Sequence, residues 1–189
     1  ERERRELEAI YHLCRAWEGM ELAENYQEPE RFQEASKLFL KASDLFIESK
    51  LKLLASGNSS VCLALENGSK FDESTSFNKK AQYYKNIKSM LRNASSSYEK
   101  GGFVGGADWA LATSTYFDAL WNLIQADEEL DLKKKNNQIV IGIEYLKSAA
   151  ELFERTGYTE RKEEIYDKID RIKKEERILC QPNMKIYYV

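Results

Sequence analysis

The side chains best suited to chemistry are few and far apart. A single histidine, His12, follows Glu8 by four residues, a spacing that puts both on one face of a helix, where they could touch one metal ion. A helical di-iron site needs two Glu-x-x-His units, and one histidine cannot supply them. A Ser-His-Asp arrangement would need an activated hydroxyl beside His12, and no nucleophile motif accompanies it. Set beside the stripe Leu7, Ile10, Cys14 and Trp17, it reads as a hydrogen-bonded histidine at a core seam.

Cys14, Cys62 and Cys180 are odd in number, widely spaced and without Cys-x-x-Cys pairing, so neither a zinc site nor a disulfide framework is expected. They read as reduced thiols of a cytoplasmic protein. The run Gly101-Gly102-Phe103-Val104-Gly105-Gly106 invites a phosphate-loop reading. It lacks the Gly-Lys-Ser/Thr ending and follows an amphipathic helix, not a strand, so it reads as a flexible link between helices. Lys133-Lys134-Lys135 reads as a solvated joint, and the Asn-x-Ser sites at Asn58, Asn67 and Asn93 carry no assigned role. No catalytic, cofactor-binding or metal-binding residue is expected, and the chain does not read as an enzyme.

Composition narrows the classes further. With 29 basic and 32 acidic residues the net charge is −3, which provides no broad positive field for a nucleic-acid backbone. The 42% hydrophobic content with only two prolines suits long amphipathic helices and is too apolar for a disordered chain. No apolar run approaches the roughly 18 residues that span a bilayer. The first residue is Glu1, inside a helical pattern, so a preceding segment would lie outside this sequence.

The elements follow from apolar spacing. A first helix is expected over residues 3 to 27, ending at Glu28-Pro29. A second is expected from Pro29 to Ser56, carrying Phe32, Ala35, Phe39, Ala42 and Phe46. Gly57-Asn58-Ser59 reads as a stop and a cap, so the third helix is short, Val61 to Lys70. The fourth carries Phe77, Ala81, Tyr84, Ile87, Leu91, Ala94 and Tyr98. Asp108 would cap a fifth with Trp109, Ala112, Tyr116, Ala119, Leu123, Ala126 and Leu130. Asp131 to Asn137 is expected to be a polar joint before a sixth helix with Ile139, Ile143, Leu146, Ala150 and Phe153, which ends at Gly157. Thr159 would cap a seventh with Ile165, Ile169, Ile172 and Leu179, and its Glu164/Lys168, Asp167/Arg171 and Asp170/Lys174 pairs mark a solvated face. Helical structure over 1–181 is thus followed by an extended tail, 182–189.

A repeat signal overlies these helices. Leu22-Ala23, Tyr26, Phe32 and Ala35-x3-Phe39-x2-Ala42 form one unit, in which small residues let helices approach and aromatics fill the adjoining holes. Ala112-x3-Tyr116-x2-Ala119 repeats its second half, with the Leu91, Ala94 and Tyr98 helix as natural partner. Leu146, Ala150, Phe153, Gly157, Tyr166 and Ile169 make a third unit, with Lys162 where a small residue belongs. This pattern resembles the tetratricopeptide repeat over about half of the chain. The resemblance implies an all-α protein, about seven antiparallel helices stacked as hairpins in a short right-handed solenoid; a compact helical bundle uses the same small-and-aromatic spacing.

The resemblance also implies a groove lined by the first helix of each hairpin, in which a protein or peptide lies. Trp17, Met20, Glu24 and Gln27 would line it from the first hairpin, Ser89, Arg92 and Ser96 from the second, and Glu144, Lys147 and Glu151 from the third. Trp17 and Met20 could anchor apolar side chains, or simply pack on a neighbouring helix. Arg92 and Lys147 could orient an acidic group. Met20, Glu24, Ser96 and Glu151 do not match the Lys and Asn set with which relatives clamp a terminal carboxylate. Ile186-Tyr187-Tyr188-Val189 is itself a candidate docking element, in its own groove or that of a second copy, or a lid over the last helix pair. The expectation is a noncatalytic scaffold or adaptor; the competing class is a ligand- or nucleic-acid-responsive helical regulatory domain.

Overall fold

The computed structural model describes residues 1–26 and 28–179. They form seven α-helices: α1 (Arg2–Tyr26), α2 (Glu30–Leu45), α3 (Ser49–Glu73), α4 (Phe77–Gly101), α5 (Val104–Glu128), α6 (Leu132–Arg155) and α7 (Thr159–Leu179). Each packs on the helix before it and the helix after it. The register is antiparallel throughout. Arg5 donates to the Asp44 carbonyl across α1 and α2, Ser36 meets Ser59 across α2 and α3, and Tyr98 meets Asn58 while Asn86 meets Asn67 across α3 and α4. Across α4 and α5, Tyr84 meets Asp118 and Lys88 meets Ser114. The sums of paired residue numbers stay nearly constant within each pair, as antiparallel helices require. The core is three apolar clusters in sequence along the stack, centred on Phe39, on Leu91 and on Leu146. The all-α expectation holds.

Several boundaries differ, each for a packing reason. Gly57-Asn58-Ser59 is neither a stop nor a cap, and α3 is not short: the three residues lie inside a 25-residue helix. Each makes an interhelical contact there. Gly57 lies under the Tyr98 ring, Asn58 accepts from the Tyr98 hydroxyl at 2.6 Å, and Ser59 Oγ is 2.8 Å from Ser36 Oγ. The true break follows Leu45, where no glycine or proline marks it. Phe46 turns extended and drives its ring into the core, and α1 closes the turn with Arg5 on the Asp44 carbonyl and Glu6 accepting from the Ile47 N–H. Side chains of another helix thus satisfy the orphan groups at the end of α2.

The glycine-rich run does link two helices, but only two residues, Gly102 and Phe103, lie between them. Gly101 closes α4, Gly102 takes the left-handed conformation at φ 73° that favours glycine, and α5 starts at Val104, so Asp108 lies within it and caps nothing. The Lys133-Lys134-Lys135 joint is the first turn of α6, because the Asp131 carboxylate accepts from the Lys133 and Lys134 backbone N–H groups. Leu130 falls outside α5 and is 95% exposed.

The buried face of α1 is not the expected one. Leu7, Ile10 and Trp17 are 67%, 47% and 39% exposed and Cys14 is exposed. The seam runs instead through Ala9, Leu13, Ala16, Met20 and Ala23. Small residues win here because they let α1 and α2 approach: a Cβ at Gly19 would sit 3.6 Å from that of Ala35. The second repeat unit divides in the same way. Ala112 and Ala119 pack with Ile143 and Leu146 of α6, whereas Leu91, Ala94 and Tyr98 pack with Val61 and Phe71 of α3 and with Ala107 and Phe117 of α5. In α7, Ile165 and Ile169 are buried and Tyr166 is exposed. Among the described residues none of the three expected α7 pairs closes as an ion pair; Glu164 takes Arg161 at 2.7 Å instead. The tail 182–189, Cys180 and the Leu179 side chain lie outside the described residues.

Candidate functional site: a groove walled by alternate helices

Because each helix packs mainly on its sequence neighbours, alternate helices meet only through a few side chains on one side of the stack. A groove of about 1010 Å³ lies there, with α1, α3, α5 and the start of α7 as its walls. Its apolar lining comes from Val61 and Leu65 on α3, Trp109 and Phe117 on α5, and Phe32 and Phe153 reaching in from α2 and α6. Phe117 ties the walls together, edge-on to Phe71 at 5.7 Å and over Gly68, where a Cβ would be 3.2 Å from its ring. A smaller cleft of about 200 Å³ adjoins the groove at Tyr116 and Arg161 and continues along α7 past Lys168.

The polar groups of the groove are uneven in sign. Glu21, Glu24 and Asp72 contribute carboxylates, and Arg161 is the cation. Burial, followed by the neighbouring Glu21 carboxylate, holds the Glu24 carboxyl above its usual range. Burial likewise raises Asp72, partly offset by the positive fields of Lys80, Lys168 and Arg161. Arg161 is already engaged, bonded to Glu164 at 2.7 Å and placed 4.9 Å over the Tyr116 ring. Thr113 is 7% exposed, lines the groove, and its hydroxyl has no hydrogen-bond partner. A helical threonine ordinarily bonds the carbonyl one turn back, and an unmet buried hydroxyl costs free energy.

Of the residues expected in the groove, Met20 and Glu24 line it. Trp17 does not: it packs edge-on to the buried Phe39 of α2 at 6.3 Å, the alternative role its position allowed. Gln27 lies outside the described residues. Ser89, Arg92 and Ser96 are on α4, and Glu144, Lys147 and Glu151 are on α6; none of these six lines the groove. Lys147 bonds Glu144 at 2.7 Å on the surface. The displacement has one cause. A full-length α3 shifts the pairing by one helix, so α3 and α5, not α4 and α6, face the groove. Sequence reasoning therefore missed Val61, Leu65, Asp72, Trp109 and Thr113. The signal was present: residues 54, 61, 65, 68 and 72 keep helical periodicity through Gly57 and Asn58.

The other chemical candidates are structural. His12 is buried but not the hydrogen-bonded histidine expected: Nε2 is 3.7 Å from Glu8 Oε1, too far for a hydrogen bond, and Nδ1 has no partner. Among the described residues no cluster of three His, Cys, Asp or Glu side chains is placed to hold a metal ion. Between α4 and α5, Asp118 accepts from the Tyr84 hydroxyl at 2.7 Å and from Lys88 Nζ at 2.6 Å, and Lys88 also bonds Ser114 Oγ at 2.6 Å. This network satisfies its members and clamps the two helices. No helix among the described residues is long and apolar enough to cross a membrane. Comparison of the chain with protein families, curated proteins and solved structures gave no match.

Proposed function

We propose that this chain is a noncatalytic, tetratricopeptide-like helical scaffold that binds a protein or peptide segment in the groove between α1, α3, α5 and α7. The observation that carries the reading is the groove itself, a 1010 Å³ space with an apolar floor and convergent polar groups, the arrangement that recognition sites share. Its α3 wall is tied to α2 and α4 by interhelical hydrogen bonds, so little order is lost there when a ligand settles. Glu21, Glu24, Asp72 and Arg161 stand on three different helices. Among the described residues none of them is hydrogen-bonded to a hydroxyl or thiol that could serve as a nucleophile, which favours binding over catalysis.

The reading is tested by filling the groove. Ser69 lines it and is half-buried, so Ser69→Arg with Met20→Lys places two long side chains across the floor. A segment selected by the native protein from a displayed peptide library should lose binding to this variant, with circular dichroism unchanged. Retention of every selected segment by the variant would remove the groove from the function.

A further inference from the structure

We propose that the segment this groove takes is basic and apolar-faced, with lysine or arginine side chains meeting Glu21, Glu24 and Asp72 and aliphatic side chains meeting Val61, Leu65 and Phe117. This rests on the protein-binding reading above and names the chemistry of the partner. Three carboxylates open on the groove, from α1 and α3, and among the described residues none of them has an ion-pair partner. Arg161, the groove's cation, is committed to Glu164 and to the Tyr116 ring. Lys80 is drawn the other way, 4.9 Å over the Phe71 ring, and Lys168 lies over Tyr116 and bonds its hydroxyl at 3.3 Å. The groove lining thus holds three carboxylates against one cation; the positive fields of Lys80, Lys168 and Arg161 reach Asp72 and offset part of that excess, and what remains acts beside apolar walls that strengthen electrostatic attraction.

Two further observations point to an occupant. Partial desolvation disfavours the ionised forms of Glu24 and Asp72, whose side chains remain exposed on the groove, and an incoming cation would favour those forms. Thr113 stands on the groove wall with its hydroxyl enclosed and without a partner, so that hydroxyl meets no occupant as the protein stands. Trp109, half-buried beside it, offers an aromatic face to a lysine or arginine.

The test uses three fluorescein-labelled amphipathic peptides of equal length, built from leucine and lysine, leucine and glutamate, or serine and lysine, with binding read by anisotropy. The leucine–lysine peptide should bind roughly tenfold more tightly than either of the others. The variant Glu21→Gln/Glu24→Gln/Asp72→Asn should lose roughly that factor. A control that removes the same charge away from the groove, Glu144→Gln/Glu151→Gln/Glu163→Gln, should bind as the native protein does. Equal binding of the leucine–glutamate peptide, or equal weakening by the control, would overturn the charge assignment and leave the groove reading standing. Failure of both leucine peptides to bind would overturn the groove reading, and this inference with it.

Discussion

The ring of Tyr98 in α4 lies so close to the backbone of Gly57 in α3 that a Cβ there would sit 2.5 Å from Tyr98 Cε1. The Tyr98 hydroxyl then bonds the next residue, Asn58, at 2.6 Å. Glycine ordinarily weakens a helix interior; here it permits the helix contact that fixes one wall of the groove. Gly57→Ala should therefore destabilise the protein by about 1–3 kcal/mol through overpacking, despite the gain of roughly 1 kcal/mol in helix propensity expected at an open site. Gly105, in the first turn of α5 with open space around it, is the contrast: Gly105→Ala should be neutral or stabilising by about half a kcal/mol. Urea denaturation of both variants checks the pair, and a stable Gly57→Ala protein would mean that Tyr98 can move aside.

Ser36 and Ser59 share a hydrogen bond of 2.8 Å between α2 and α3, both side chains being buried. Replacing either with alanine leaves the other hydroxyl unpaired, at a cost of about 1–3 kcal/mol, whereas the double replacement should cost less than the sum. A double-mutant cycle in chemical denaturation measures the difference. Strict additivity would show that the two hydroxyls do not depend on each other.

Partial desolvation raises the carboxyls of Glu24 and Asp72 in the folded protein although both side chains stay exposed, so between the unfolded and folded values the native state holds somewhat more protons than the unfolded one. Their contribution to stability is then greatest below the ordinary carboxylate range and is lost as pH rises through the folded values. Glu24→Gln/Asp72→Asn should raise Tm at neutral pH, and the gap to the native protein should close as pH falls towards about 4. Melting curves across that range decide the sign. A variant that is less stable at neutral pH would mean that both carboxylates are stabilising as they stand.

Cys62 is buried in the first core cluster, and burial, with the field of Glu24, pushes its thiol up to about 12. Cys14 is exposed on the outer face of α1. Since the thiolate is the reactive species, iodoacetamide should label Cys14 in the native protein and reach Cys62 only in denaturant, as read by peptide mass spectrometry. Native labelling of Cys62 at a rate matching Cys14 would indicate that α1 opens readily.

Amphipathic periodicity by itself determined the helical class, the α4 stripe Ile87, Leu91, Ala94 and Tyr98 and the α6 stripe Ile143, Leu146, Ala150 and Phe153, all of which are buried. It also marked the Ala35, Phe39 and Ala42 face of α2, because side chains one turn apart must share a side of a helix. Tertiary structure decided the rest. Gly57, Asn58 and Ser59 carry every local signal of a break, yet contacts with Tyr98 and Ser36 keep α3 continuous. Phe46 carries none, yet its burial and the side chains of Arg5 and Glu6 end α2 there. Local propensity is worth about 1 kcal/mol per residue, and interhelical packing at such sites outweighs it. That one relocated break decided which helices face the groove. It is why Met20 and Glu24 were legible as groove residues in the sequence, while Trp109 and Thr113 emerged only when the helices were assembled.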